Sequence, residues 1–293
     1  MRTLICYWSL TGATRRVAEA IAEGVRPQGA DVSLADIRNG VPASARDFDL
    51  VGIGFPVHWY RAPTPVVRAV HSLGRLDGLP AFVFCTFGTF RSTALDSVRR
   101  MVARQGATEI GVFASQGEGH FYPYARRGHQ FSTGHPTAAD LEAARRFGEG
   151  VAEAARRCAL GEPSPPPAPR DPRGHPLLGV IRMASSQAMT DLLYARFFHA
   201  DPARCARCGR CARACPVRNI AWHKGELPVW DRSCVLCLEC VRVCPEEAVV
   251  CPIDWPIFSP FIRWTIGRAL RIPGLEHTRV EFCRGRIVRM PEP

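Results

Sequence analysis

Residues 205–220, CARCGRCARACPVRNI, and residues 234–249, CVLCLECVRVCPEEAV, align without a gap, cysteine on cysteine and proline on proline. Each reads C-x2-C-x2-C-x3-C-P. Cys205, Cys208, Cys211 and Cys215 precede Pro216, and Cys234, Cys237, Cys240 and Cys244 precede Pro245. Thiolate sulfur is a soft ligand that holds iron–sulfur cores strongly. Two-residue gaps let three thiolates of one loop converge on a single [4Fe–4S] cubane. The fourth cysteine is out of reach of that cubane and belongs to the other. The spacing predicts one cluster on Cys205, Cys208, Cys211 and Cys244, and a second on Cys234, Cys237, Cys240 and Cys215. A zinc centre needs four ligands and tolerates wider gaps, which leaves a doubled run ending in Cys-Pro unexplained. A repeat this short cannot form its own core, so the two copies are expected to pack as a pseudo-symmetric pair. Between them, Ile220–His223 and Leu227–Trp230 flank Lys224-Gly225-Glu226 and read as a hairpin. Trp222 and Trp230 either shield the clusters or pack a small core.

Upstream, residues 161–176 read GEPSPPPAPRDPRGHP. Proline this dense forbids helix and central strand and makes a stiff, extended connector. The expected organisation is a first domain over 1–160, a linker over 161–176, a connecting helix over 177–200, a two-cluster domain over 201–252 and a C-terminal packing extension over 253–293.

In the first 160 residues apolar runs alternate with helical patterns. Strands are expected at Thr3–Trp8, Asp31–Ala35, Leu50–Phe55, Ala81–Phe87 and Glu109–Ala114. Helices are expected at Ala13–Val25, Pro65–Leu73 and Ser92–Gln105, and from Thr137 to about Leu160. Thr137 followed by Asp140 reads as a capping-box-like start. Such alternation implies α/β architecture, a parallel sheet with helices on both faces. Five strands suit the order 2-1-3-4-5.

The first strand runs into Ser9-Leu10-Thr11-Gly12-Ala13-Thr14 and then a helix. A phosphate at a helix N-terminus meets unsatisfied N–H groups and the positive end of the dipole. Ser9, Thr11 and Thr14 add hydroxyls, and Gly12 allows close backbone approach. An ordinary capped helix start uses the same residue types. Gly52-Ile53-Gly54 lies inside a strand with no third glycine and no helix after it, so the dinucleotide fingerprint fails. No Walker sequence is present.

The S-x-T-G-x-T run directly after the first strand resembles the FMN-phosphate loop of flavodoxins. The paired cysteine runs resemble bacterial two-cluster ferredoxins. From residue 1 to about 250 the chain resembles a family of flavodoxin–ferredoxin fusion proteins, with Trp230 before the second run as in that family. The resemblance implies a flavodoxin-like sheet followed by a small α+β ferredoxin domain. It also implies FMN and two [4Fe–4S] clusters acting as a relay. The flavin ring is then expected outside the strand ends, at Pro56, Val57, His58, Trp59 and Tyr60 and at Thr86, Phe87, Gly88 and Thr89. Trp59 or Tyr60 is the expected stacking partner, and packing in the core is the other use of these aromatics.

The chain has 293 residues, 13 cysteines and a formal net charge of +11, and Lys224 is its single lysine. A basic surface favours acidic partners, so a redox partner protein with an acidic surface is expected. The charge is scattered with no basic–aromatic groove, which argues against nucleic acid. No apolar stretch reaches the length of a membrane span, and no signal peptide is evident, so the expected location is cytoplasmic. Two segments stay open. Ser115–Pro136 reads as a long loop, either a lid near the flavin or a cover for the second domain. Trp255–Leu275 reads as a tail packing back on the protein or as a segment lying in a membrane interface. Three functions remain: an electron carrier, a flavin-dependent oxidoreductase acting on a small molecule, and a redox-sensing binding protein.

Overall fold

Apolar runs too short to be helices and bounded by glycine or proline become strands. In chain order the first half reads β1 (Arg2–Tyr7), α1 (Ala13–Val25), β2 (Asp31–Asp36), β3 (Leu50–Pro56), α2 (Thr64–Ser72), β4 (Pro80–Phe87), α3 (Ala94–Arg104), β5 (Thr108–Gln116), α4 (Tyr122–Ala125), β6 (His129–Phe131) and α5 (Ala138–Ala159). The computed structural model describes residues 1–290 except 43, 164, 165, 167, 170–178, 181, 182 and 185. The chain divides into two units: Met1–Glu118 with Gly134–Gly179, and Gly119–Thr133 with Val180–Pro293.

The first unit is a five-stranded parallel sheet in the order β2-β1-β3-β4-β5, as expected. Side chains alternate across the pleat, so each central strand feeds two cores. Leu4, Cys6, Trp8, Val51, Ile53 and Phe55 pack with Val66 and Val98 on one side. Ile5, Tyr7, Phe82 and Phe84 pack with Val17, Ile21 and Val151 on the other. On that second side β3 presents Gly52 and Gly54. A Cβ at Gly52 would lie 2.3 Å from the Phe82 ring, and one at Gly54 would lie 2.0 Å from the Phe84 ring. These glycines make room for aromatic rings, which is why they do not belong to a dinucleotide fingerprint. The same device sets α1 against α5. A Cβ at Gly24 would fall 1.9 Å from the Arg145 carbonyl oxygen, and one at Gly148 would fall 2.2 Å from that of Ile21.

Thr137 caps α5: its hydroxyl accepts from the Asp140 N–H, and the Asp140 carboxylate accepts from the Thr137 N–H at 2.7 Å. Arg99 is buried on α3. It bonds Asp96 at 2.8 Å and Glu109 of β5 at 2.7 Å, and donates to the carbonyls of Ala168 and Pro169. The described part of the proline-rich stretch is thus tied to the sheet unit; most of 161–176, and Leu177 and Leu178, lie outside the described residues.

The second unit is built on the cysteine repeat. β7 (His199–Ala200), which leads into the first run, pairs with β10 (Val249–Val250), which leaves the second. β9 (Val229–Trp230), which leads into the second run, pairs with β8 (Ile220–Ala221), which leaves the first. The expected hairpin is therefore present, and it is one half of an exchange. Upstream of β7 the residues Gln187–Phe197 form one unbroken helical run, with α geometry over Gln187–Met189, π over Thr190–Tyr194 and 3-10 over Ala195–Phe197, within the span expected as a connecting helix; residues 177, 178, 181, 182 and 185 of that span lie outside the described residues.

Ser115–Pro136 is not a featureless loop. Its central part, Gly119–Thr133, belongs to the second unit. There β6 pairs antiparallel with β11 (His277–Cys283), which pairs in turn with β12 (Arg286–Arg289). Tyr122 of α4 donates to Asp254 at 3.2 Å, and Arg126 binds the same carboxylate at 2.9 Å. Burial pushes the Asp254 carboxyl up from its ordinary value. The expected linear boundary at residue 160 is accordingly interrupted, because a strand needs hydrogen-bonding partners and β6 finds them 146 or more residues downstream, at His277–Arg279. Trp255–Leu275 contains the helix Ser259–Ala269, with Ile262, Thr265, Ile266 and Ala269 buried. No described helix is long and apolar enough to cross a membrane.

Candidate functional site

The first site lies at the carboxyl ends of β1, β3 and β4. Pairing continues one residue past β1, where the Trp8 N–H donates to Gly54 at 3.0 Å. The chain then turns through Ser9–Gly12, with the Gly12 N–H donating to Ser9 Oγ at 3.1 Å. Gly12 has φ +95°, and nothing stands within 4 Å of where its Cβ would be. Conformation therefore selects glycine here, and the space beside it is open. The α1 ladder starts with Arg16 N–H on Gly12 O, so the N–H groups of Ala13, Thr14 and Arg15 precede it.

The three loops are tied together. Buried Thr14 and Thr86 share a hydroxyl–hydroxyl bond of 2.8 Å. The Val57 N–H donates to Thr86 O at 2.8 Å, and the Gly117 N–H donates to Phe87 O at 3.0 Å. Ser9 accepts from Gly12, so its own proton is left for another acceptor, as is one proton of the Thr14–Thr86 pair. Thr11 is exposed, Leu10 and Ala13 are half-buried, and Gly88 and Thr89 are half-buried beyond β4. These residues fit a phosphate group: a glycine with open space, helix-start N–H groups and hydroxyl protons face one loop.

After Pro56, His58 and Arg61 exchange backbone hydrogen bonds of 3.0 and 2.9 Å. Trp59 and Tyr60 fill the turn with φ 50° and 62°. Two positive-φ residues in succession make a type I′ geometry, which normally selects Asn and Gly. Aromatic residues held there are strained, and such strain clusters at ligand clamps. Trp59 is half-buried; Tyr60 is 8% exposed and tilts toward Phe90 at 6.0 Å between centroids. His58 meets the Trp8 ring edge-on at 5.2 Å. Burial and the Arg61 guanidinium push His58 down to about 4, so it is neutral at pH 7. The Trp8 indole N–H is fully buried and has no hydrogen-bond partner among the described residues. Sequence reading treated Trp8 as the end of a strand, and Thr86 only as part of a loop reading a flavin edge. Neither the indole nor the Thr14–Thr86 bond leaves a trace in spacing.

The second site is formed by the cysteines. Cys205, Cys208, Cys211 and Cys244 line one cavity of about 360 Å³, its open mouth included. Cys215, Cys234, Cys237 and Cys240 line another of about 320 Å³. Each is completed by the last cysteine of the other run. The backbone repeats with an offset of 29 residues. Arg207, Gly209 and Arg218 have positive φ, and so do Leu236, Leu238 and Glu247. Four N–H groups point at sulfur in matching pairs: Arg207 to Cys205 at 3.4 Å and Leu236 to Cys234 at 3.4 Å, Asn219 to Cys215 at 3.2 Å and Ala248 to Cys244 at 3.3 Å. Such bonds favour charge on sulfur. Burial works against it, lifting the thiols of Cys211 and Cys234 to about 11 and those of Cys237 and Cys240 also upward. Thiols in this setting lose their protons against a cation.

The tryptophans separate. Trp230 lines the second cavity, with its indole N–H buried and without a hydrogen-bond partner among the described residues. Trp222 lies against Gly209, where a Cβ would meet its ring at 2.6 Å, and donates to Arg207 O at 3.2 Å. Cys6, Cys85 and Cys251 are buried, Cys158 is half-buried and Cys283 is exposed.

The flavodoxin-domain family matches residues 4–123, and the 4Fe–4S dicluster domain family matches residues 198–247. Among solved structures, a flavodoxin from the domain Archaea is 19% identical, with 53% of this chain and 99% of that chain covered and a TM-score of 0.42. Oxidised Flavodoxin 1 from Bacillus cereus is 18% identical, with 52% and 98% covered and a TM-score of 0.41. Two-electron reduced Megasphaera elsdenii flavodoxin is 23% identical, with 52% and 99% covered and a TM-score of 0.40. No curated protein matches the chain. The chain carries a flavodoxin domain over residues 4–123 and a 4Fe–4S dicluster domain over residues 198–247.

Proposed function

We propose that the chain is an electron-transfer protein that binds FMN on its flavodoxin domain and two [4Fe–4S] clusters on its dicluster domain, and exchanges electrons with a separate redox protein. The observation that carries the reading is the sorting of eight cysteines into two four-thiol cavities, each completed from the other repeat. Cys205, Cys208, Cys211 and Cys244 hold one cluster in this reading, and Cys234, Cys237, Cys240 and Cys215 the other. The N–H groups of Ala13, Thr14 and Arg15 hold the FMN phosphate with the hydroxyls of Ser9 and Thr11. Trp59 or Tyr60 would stack on one face of the ring, and backbone groups over 86–89 would meet its polar edge. FMN exchanges one or two electrons, and each cluster exchanges one. The chain's own part is to orient and tune. N–H bonds to sulfur spread the charge of the ligands, and apolar walls around the second cavity keep water away. The alternative reading is a flavin that acts directly on a small molecule, with the 115–136 segment as a pocket wall.

Anaerobic reconstitution and stepwise titration with a low-potential reductant tests the proposal, with flavin and cluster bands followed separately. Both sets of bands are expected to bleach. A chain that loads clusters and retains no FMN refutes the flavin half, and one that retains FMN and takes up no iron refutes the cluster half.

A further inference from the structure

The two cysteine cavities are built on one repeat but have opposite rims. Arg210 lines the first cavity, and Arg204 donates at 3.0 Å to the carbonyl of Glu246, which lines it too. Arg207 donates to Gly225 O at 3.3 Å. Arg213 donates to Cys208 O at 2.8 Å and lies over the Trp222 ring at 5.6 Å. All four arginines are exposed. Their bonds go to backbone carbonyls and a ring, and among the described residues none is paired with a carboxylate. Trp222 braces this rim through its bond to Arg207 O and its packing on Gly209. Cys208 at its centre is exposed.

The equivalent positions of the second run are Ser233, Leu236, Glu239 and Arg242. Leu236 is 1% exposed, and the Arg242 guanidinium is bound by Glu239 at 2.9 Å. Gly209 is replaced by Leu238, which is buried beside Val235 and lines the second cavity with Phe198, Ile220 and Trp230. The second cavity is rimmed by buried Val235, Leu236 and Leu238, and the first by four exposed arginines. Glu246 is the acidic residue in the lining of the first cavity, and Arg204 is bound to its carbonyl and not to its carboxylate.

From this asymmetry we propose that the cluster on Cys205, Cys208, Cys211 and Cys244 is the exchange port, and that Arg204, Arg207, Arg210 and Arg213 dock an acidic one-electron redox protein over Cys208. The proposal rests on the electron-transfer reading above. One electron leaves the reduced port cluster, which is oxidised, and enters the acceptor, which is reduced. The second cluster, shielded by its apolar wall, exchanges with the port and not with the partner. Opposite charge across such a contact steers encounter and raises the association rate, and added salt screens it.

The test uses the full chain, reconstituted and pre-reduced, with an acidic flavodoxin and a basic c-type cytochrome as acceptors in stopped-flow mixing. The bimolecular rate with the acidic acceptor is expected to fall as salt rises, and that with the basic acceptor to rise. The double variant Arg207→Glu/Arg210→Glu is expected to lose about tenfold or more with the acidic acceptor and to reverse the salt slope. Arg207→Gln/Arg210→Gln is expected to fall between. Arg286→Glu/Arg289→Glu, an equal charge change on β12, is expected to stay within about twofold. Cluster absorbance is read for every variant before mixing. A chain that takes up no iron–sulfur chromophore fails the earlier reading. A loaded chain with equal losses in both charge-reversed pairs, or with no loss in either, overturns the port. Retention of the chain on duplex DNA, abolished by the Arg207/Arg210 changes while acceptor rates stay the same, also overturns it and reassigns the rim to nucleic acid.

Discussion

His58 shows how one side chain can report on its loop. It sits between the Trp8 ring and Arg61, at the base of the turn that holds Trp59 and Tyr60 at positive φ. Burial and the neighbouring guanidinium move it from about 6.5 to about 4. The unfolded chain therefore binds more protons than the folded one between those values, and stability rises with pH across the window. The neutral-histidine contribution is complete above about pH 6.5 and is lost as pH falls toward 4, by at most about 3 kcal/mol. Urea unfolding of the first unit at pH 7 and pH 4.5 is expected to show a smaller acid-side loss in His58→Gln than in the parent. An equal loss in both proteins would mean that His58 stays solvated. The sequence marked this stretch through its aromatics beside a proline. The strain was not legible, because positive φ at Trp and Tyr contradicts their local preference and is imposed by the His58–Arg61 bonds. The roles of Gly52 and Gly54 were equally hidden, since the rings that need their space come from Phe82 and Phe84 on another strand.

Among elements, Arg99 shows the limit of periodicity most clearly. Helix α3 was legible from its apolar face, and β5 from its apolar run. Nothing in either pattern says that a guanidinium on α3 is 8% exposed and bonded to Asp96, to Glu109 and to the carbonyls of Ala168 and Pro169. Removing one member of such a network leaves buried carboxylates and carbonyls without their cation. Arg99→Leu is expected to destabilise the first unit by about 3–5 kcal/mol in chemical unfolding. It is also expected to make the 161–170 stretch easier to cleave at native pH in limited proteolysis. Unchanged cleavage with reduced stability would show that Arg99 serves the sheet alone. The five strands, their order and the Thr137 cap were legible because they depend on local patterns and on the rule that parallel strands need crossovers. The strand inside 115–136 was not, because β6 is three residues long and takes its partner from the far C-terminal region.

At the scale of the whole chain, the cysteine repeat makes the sharpest claim, because the two possible ligand sets differ only in where Cys215 and Cys244 go. The cavities group Cys244 with the first run and Cys215 with the second. The strand pairing has the same sense: β7 before the first run pairs with β10 after the second, and β9 before the second pairs with β8 after the first. A cluster that loses two of four ligands is not expected to assemble, whereas one that keeps all four is unaffected by a neighbour's loss. Double variants therefore separate the alternatives where single ones do not. In Cys208→Ser/Cys244→Ser both losses fall on one cluster, and the reduced protein is expected to keep one ordinary [4Fe–4S] electron paramagnetic resonance signal and about half its iron. In Cys208→Ser/Cys215→Ser each cluster loses one ligand, and neither ordinary signal is expected to survive. The opposite outcome, one intact signal in the second protein and none in the first, would assign each run to its own cluster and undo the exchange. FMN retention is expected to stay at the parent level in both proteins, since every substituted residue lies in the second unit and the phosphate loop in the first.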